Sequence, residues 1–262
     1  MSLSNALQSL PRISLSELDN HWNQASRHDF KFILSFSELE SLITSIADDL
    51  QILEIDGRTQ FQYETTYFDT GDYQMYRQHF QAKAKRLKIR ERTYVDVGRS
   101  QLEIKRRLSS SKSEKCLLAN SQGLNSRAEQ FLVDNAELEV ISNRSEKNGT
   151  FDSRIPIEEL KVSAVTDFSR TTLLNIGETE KLTIDFNLLL KTQTSQIEAL
   201  EDVALVEIKA QNARSNTVMA LREGGVRATN FSKYASAIDL LVSSRPKVHS
   251  TRALRKVFGP AI

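Results

Sequence analysis

Cysteine, histidine and long apolar runs are all scarce in this chain, and each scarcity removes a class of function. The one cysteine, Cys116, cannot close an intrachain disulfide and has no CxxC company, so the sequence predicts a reducing, cytoplasmic setting. The four histidines, His21, His28, His79 and His249, are scattered without metal-ligand spacing, which argues against a zinc site. The longest aliphatic stretches, such as that from Phe186 to Leu190, fall far short of the roughly 20 residues that span a bilayer. The N-terminus shows no cationic-then-apolar signal. Excess charge is lacking too: the formal net charge is +1, which argues against a general nucleic-acid coat. Any anion site must come from segregating charges. What remains is a 262-residue chain, 39% hydrophobic and 26% charged, long enough to bury a core in one large domain or two small ones.

The sequence divides into a loosely attached, flexible lead-in over residues 1–25, a main domain over 26–245 and a mobile basic tail over 246–262 carrying Arg252, Arg255 and Lys256. Ser14 and Glu17 are spaced as a capping box for a short helix to Trp22. A strand over 30–35 is followed by a second box, Ser37 to Glu40, opening a helix to about Leu50 on the apolar spacing of Leu39, Leu42, Ile43 and Ile46. Strands are predicted over 62–69, 85–95, 100–108, 161–175, 180–190 and 202–210, the second and third joined by a tight turn around Gly98. Residues 109–127 read as loop, 128–160 as partly helical. A helix over 73–83 follows the turn residues from Asp69 to Asp72, another over 213–223 ends at Gly224, and Asn230 caps a last one to about Val242.

Several strands put charge on alternate residues. From Arg86 to Arg92 the even positions are all basic while Leu87 and Ile89 take the other face. Glu103, Lys105 and Arg107 oppose Leu102, Ile104 and Leu108. Lys181, Thr183 and Asp185 oppose Leu182, Ile184 and Phe186, and Glu207 and Lys209 oppose Val206 and Ile208. An antiparallel sheet with one wet face shows the same alternation. Here, however, cations dominate neighbouring strands, where like charges repel unless an anion lies between them. Arg supplies bidentate donors and Lys point charges, a combination suited to phosphate. The pattern favours an α+β fold: a closed antiparallel β-barrel with a charged lumen, its aliphatic faces turned outward under peripheral helices.

The ordered set Tyr67-Phe68-Asp69-Thr70, Tyr76, His79, Lys88-Ile89-Arg90-Glu91-Arg92, Glu103-Ile104-Lys105, Arg170, Asp185, Glu207-Ile208-Lys209 and Phe231-Ser232-Lys233-Tyr234 resembles the VTC domain. That is the polyphosphate-polymerase domain of the triphosphate tunnel metalloenzyme (CYTH-like) superfamily, and the likeness runs from about Arg27 to Leu241. The resemblance implies a closed eight-stranded antiparallel barrel that binds ATP and a divalent metal, Mg²⁺ or Mn²⁺, and transfers the γ-phosphate to a growing polyphosphate chain with release of ADP. It implies that Lys88, Arg90, Lys105, Arg170, Lys209 and Lys233 carry the reaction. Lys31, Arg92, Lys181, Ser232 and Arg27 would bind substrate, and Glu207 and Glu103 would hold metal. Lys181 stands where the pattern often has Arg, and Phe168 where it has Tyr. Related tunnel phosphatases carry two or three Glu on the first strand, where this chain offers only Asp29, which favours the polymerase branch.

Each assignment has a plainer counterpart. Glu207 could pair with a lumen cation, and Glu103 is balanced between metal or water contact and a structural ion pair. Lys233 at a helix start, where positive potential already gathers, implies a bound anion unless it points to water. Hydrolysis of tripolyphosphate or a nucleoside triphosphate, and polyphosphate binding without turnover, remain open alternatives. ATP and inorganic polyphosphate are the implied partners, with no nucleic acid and no embedding in a membrane. Export of a polymer would need a membrane-protein partner.

Overall fold

The computed structural model describes residues 2–21, 28–83, 86–108, 113–136, 157–177, 179–242, 251–260 and 262. Their strands are β1 (Arg12–Ile13), β2 (His28–Ser35), β3 (Leu50–Leu53), β4 (Phe61–Asp69), β5 (Arg86–Tyr94), β6 (Arg99–Arg107), β7 (Ser113–Ala119), β8 (Lys161–Asn175), β9 (Glu180–Lys191), β10 (Gln196–Glu198) and β11 (Val203–Ala210). Their α-helices are α1 (Leu3–Gln8), α2 (Leu15–His21), α3 (Phe36–Ser45), α4 (Gln74–Phe80), α5 (Ser126–Ala136), α6 (Asn216–Glu223), α7 (Lys233–Leu241) and α8 (Thr251–Phe258).

Eight strands form one antiparallel path in the order β2-β11-β9-β8-β4-β5-β6-β7. The mixed α+β class and the large antiparallel sheet agree with the sequence reading. Closure does not: among the described residues no ladder joins β2 to β7, so the sheet is not a closed barrel. It curls far enough that residues of both edge strands line one cavity. Those edges carry Asp29 and Lys31 on β2 and Glu114 and Lys115 on β7, and charged side chains along an edge discourage strand pairing.

Period-two alternation sorts the sheet into its two faces. Ile89 and Ile104 turn outward and pack with Ala128 and Leu132 of α5, while Ile208 packs with Leu39 and Leu42 of α3 and Val218 and Leu221 of α6. All three isoleucines are fully buried, and none borders the cavity. On the concave face, Tyr67, Ala164, Phe168, Leu188 and Leu205 pack against Tyr234, Ala235 and Ile238 of α7, with α8 behind them. The cavity is therefore what α7 leaves unfilled inside the trough.

Several local expectations are corrected. The box that opens α3 is Ser35 with Glu38, whose side chain and backbone reciprocate at 2.7 and 3.2 Å, and the helix stops at Ser45 so that β3 can form. Ser14 and Glu17 do form their box. Part of the expected 109–127 loop is β7, which pairs with β6 along seven residues. Ser232, not Asn230, caps α7 by accepting from the Ala235 N–H. The expected loose lead-in is packed: Ala6 and Leu10 join the core beside α3, and β1 pairs in parallel with β3. In the tail, α8 buries Leu254, Val257 and Phe258, a spacing that turns one face inward.

Candidate functional site

Each of the eight path strands contributes side chains to a cavity of about 570 Å³. Of the thirteen residues assigned from sequence, eleven line it: Lys31, Lys88, Arg90, Arg92, Glu103, Lys105, Arg170, Glu207, Lys209, Ser232 and Lys233. Lys181 faces the same side as its ladder partner Lys209 but lies outside the lining, and Arg27 lies outside the described residues. The lining also brings in Asp29, Glu114, Lys115 and Asp185, making nine Lys or Arg against five Asp or Glu, an excess of four positive charges. The whole chain carries only +1, so the remainder is net negative and the charges are segregated.

The cations fall into two kinds. Some are anchored on a carboxylate. Glu103, almost fully buried, accepts from Arg90 Nε at 2.6 Å and lies 2.5 Å from its Nη2, 3.0 Å from Lys115 Nζ and 3.7 Å from Arg92. Burial alone would raise its pKa, but the charges of Arg90, Arg92 and Lys115 hold it at about 2. Both Glu103 oxygens thus face cations, which is the ion-pair side of the balance the sequence left open. Asp185 accepts from Arg170 Nε and Nη2 at 2.5 and 2.8 Å and from Lys233 Nζ. Burial again works against ionisation there, and the two cations overcome it, holding the carboxyl well below its usual range.

The other kind has no carboxylate of the described residues within ion-pair distance. Lys88 and Lys105 are direct ladder partners on adjacent strands, and both belong to this kind together with Lys31. Lys31 Nζ donates to the Phe231 carbonyl at 3.2 Å, and Lys88 Nζ reaches Ser232 Oγ at 3.4 Å and lies 5.9 Å from the Tyr67 ring centre. Burial drives the Lys88 pKa well down, and Arg90, Lys31, Lys105 and Arg86 add repulsion. Burial lowers Lys105 as well, with Lys31 adding to it and Asp29 opposing. Like charges at this density call for an anion of several charges between them.

The end of the cavity is set by α7, whose first residues Ser232 and Lys233 face inward. Its placement depends on Asp69, a buried carboxylate that accepts from the backbone N–H groups of Thr70, Met75 and Tyr76 at 2.8, 2.9 and 3.0 Å and from Tyr234 Oη. A second tie runs from Tyr76 Oη to Asp239 at 2.5 Å. The sequence reading gives Asp69 as a turn residue and, with Tyr76 and Tyr234, as part of an ordered set, and it gives Asp185 no role. The period-two pattern had already put Asp185 on the charged face, which was the available signal.

Glu207 sits across the ladder from Lys31 and Thr183, with Lys209 Nζ at 3.5 Å. Burial raises its pKa, but Lys209, Lys31 and Arg170 outweigh this and hold it at about 2, so it is an anion throughout the physiological range. No group of three or more His, Cys, Asp or Glu is placed to hold a metal among the described residues. No helix of the described residues is long and apolar enough to cross a membrane.

A family model described as the VTC domain matches residues 26–242. No curated protein matches the sequence. Among solved structures, the chain is similar to a putative adenylate cyclase from Bacillus halodurans (16% identity, TM-score 0.43, 79% of this chain and 93% of that one). It is also similar to a putative adenylyl cyclase from Hippeastrum, reported with a dominant triphosphatase activity (16% identity, TM-score 0.44, 81% and 95%). A third is the PH1012 protein of Pyrococcus horikoshii (10% identity, TM-score 0.41, 80% and 98%).

Proposed function

The chain belongs to the VTC domain family, whose match spans residues 26–242, and on that premise we propose that its cavity is a phosphoryl-transfer site for triphosphate and polyphosphate. The reaction we infer is metal-dependent transfer of the ATP γ-phosphate to a polyphosphate chain with release of ADP. The observation that carries this reading is the group Lys31, Lys88 and Lys105, held close together beside anchored arginines with no carboxylate of the described residues within ion-pair distance. A linear polyphosphate carries about one negative charge per phosphate along its length, and the cavity presents an excess of four positive charges along its walls.

Phosphoryl transfer asks a protein mainly for positioning and charge neutralisation. Arg90 and Arg170 are held rigid by Glu103 and Asp185, and each keeps N–H donors beyond those it spends on its carboxylate. They suit the bidentate gripping of phosphate oxygens. Lys31, Lys88, Lys105 and Lys209 supply point charges along the same wall. Lys233 and Ser232, at the start of α7, act at the end of the cavity, where the helix contributes positive potential.

Glu207 would hold a divalent metal, Mg²⁺ or Mn²⁺: Glu103 and Asp185 each lie against two or more cations, whereas Glu207 has Lys209 Nζ at 3.5 Å, and phosphate oxygens would complete the ion's shell, as is usual for Mg²⁺. When bound, the ion would neutralise charge on the phosphoryl group in transfer. The test is incubation with ATP and Mg²⁺ or Mn²⁺, with and without a polyphosphate primer, and separation of the products. Acid-stable polymer with ADP supports transfer to phosphate, orthophosphate without polymer replaces it with hydrolysis, and no turnover with tight tripolyphosphate binding leaves a binding module.

A further inference from the structure

We propose that Asp185 is a positioning residue that holds Arg170 and Lys233 together as one phosphate-gripping pair. The proposal rests on the phosphoryl-transfer reading above and deepens it. Three elements meet at this carboxylate: β9 supplies Asp185, β8 supplies Arg170 and α7 supplies Lys233. The Asp185 side chain is 5% exposed, so its oxygens turn to the two cations and not to solvent. From the other side, Arg170 lies 5.3 and 5.2 Å from the ring centres of Tyr63 and Phe168, and Lys233 lies 4.3 Å from that of Phe168. Those rings stack on each other at 5.4 Å. Both cationic heads are thus fixed from behind by aromatic faces and by one carboxylate.

A carboxylate beside a polyanion should, by charge alone, weaken binding. Its presence here makes sense only through what it does to its neighbours. Without Asp185, two largely desolvated cations would face each other and separate, or Lys233 would release its proton. The groups acting on Lys233 are Asp185 of β9, Arg170 of β8 and Tyr67 of β4, while Glu207 of β11 acts on Arg170 and Asp185. Burial pulls the Lys233 pKa down, and Asp185 is the first group opposing it. Asp185 therefore gives up one charge to keep Lys233 ionised and both cations adjacent and aimed.

The experiment is calorimetric titration with tripolyphosphate, from neutral to alkaline pH, on wild type, Asp185→Asn, Asp185→Glu, Lys233→Met and the Asp185→Asn/Lys233→Met double variant, with turnover measured in parallel. Asp185→Asn should weaken binding about tenfold or more, the loss expected for a hydrogen bond to a charged group, even though it makes the cavity more positive. It should also move the alkaline limb of the binding profile to lower pH. Lys233→Met should lack the Lys233 part of that limb and keep the part due to Lys88, and adding Asp185→Asn to it should cost less than Asp185→Asn alone and move the limb no further. Asp185→Glu keeps the charge but shifts it by one methylene, so it should lower turnover and leave the limb in place. Binding by Asp185→Asn as tight as wild type or tighter, with an unmoved limb, overturns the proposal. Wild-type turnover in Asp185→Glu also overturns it, including the case where Asp185→Asn does not fold. Wild-type protein that binds no tripolyphosphate overturns the functional reading itself, and this proposal with it.

Discussion

Replacing Lys88 by Met should make the protein more stable and less able to bind its anion. Lys88 stands opposite Lys105 on the ladder and two residues from Arg90 on its own strand. Strand geometry puts such neighbours about 5–7 Å apart. At an effective dielectric constant of about 20, two unit charges about 7 Å apart repel by about 2 kcal/mol. The Glu103 carboxylate beside Arg90 cancels part of that term, and Lys105, partly desolvated but less enclosed than Lys88, adds about 1 kcal/mol or less. The net repulsion removed by Lys88→Met is about 1.5 kcal/mol, and Met fills nearly the same volume. For a protein of this size that corresponds to a rise in Tm of about 3–6 °C without ligand.

The pH dependence follows in sign. The folded pKa of Lys88 is depressed, so in the window between the folded value and the unfolded value near 10.5 the unfolded chain binds more protons. Wild-type stability should gain a term from Lys88 as pH rises through that window, and Lys88→Met should lack it. Saturating tripolyphosphate at about 100 times its Kd should stabilise wild type by about 2.7 kcal/mol and the variant by clearly less. The assay is a thermal melt across pH, with and without tripolyphosphate. A variant that melts below wild type, or that keeps the full ligand shift, refutes the argument that the lysines are held together against their own repulsion.

Other outcomes follow from the same geometry. Glu207→Gln should abolish the metal-dependent part of tripolyphosphate binding and turnover, measured with and without Mg²⁺. Ile104→Ala empties a fully buried site under α5 and should cost about 2–5 kcal/mol by denaturant unfolding, with anion affinity in the surviving folded fraction unchanged. Glu103, held at about 2 against an ordinary 4.5, contributes stability that is present above 4.5 and lost as pH falls toward 2. In acid titrations Glu103→Gln should lack that loss, and at neutral pH it should be destabilised by about 3–5 kcal/mol, because Arg90 would be left without its partner.

What could be read from sequence was what repeats at short range. Period-two alternation assigned Lys88, Arg90, Glu103, Lys105, Glu207 and Lys209 to one face and Ile89, Ile104 and Ile208 to the other, because a strand leaves each residue only two directions. The cap of α3 was misplaced because Ser35 to Glu38 and Ser37 to Glu40 are overlapping frames of one signal, and only the length of β2 decides between them. The strand β7 escaped because serines crowd its start and its edge position leaves Ser113, Lys115, Leu117 and Ala119 exposed, so no buried face marks it. Closure of the sheet was overstated because alternation within strands carries no information about whether the first and last strands pair. The role of Asp185 depends on a lysine 48 positions away on a helix, a contact that local pattern cannot display.

The carboxylate of Asp69 also bears on the order in which the molecule can assemble. It joins the N–H groups that open α4 to Tyr234, a residue 165 positions later in the chain. Contacts of such separation form late, since the loop they close must be ordered first. The β-hairpin of β5 and β6 can place Arg90 on Glu103 from neighbouring sequence alone, whereas Lys233 reaches the cavity only when α7 docks on Asp69. The β5–β6 part of the wall can therefore come early in folding, whereas the β2–β11 ladder and the end piece close over long separations and come late.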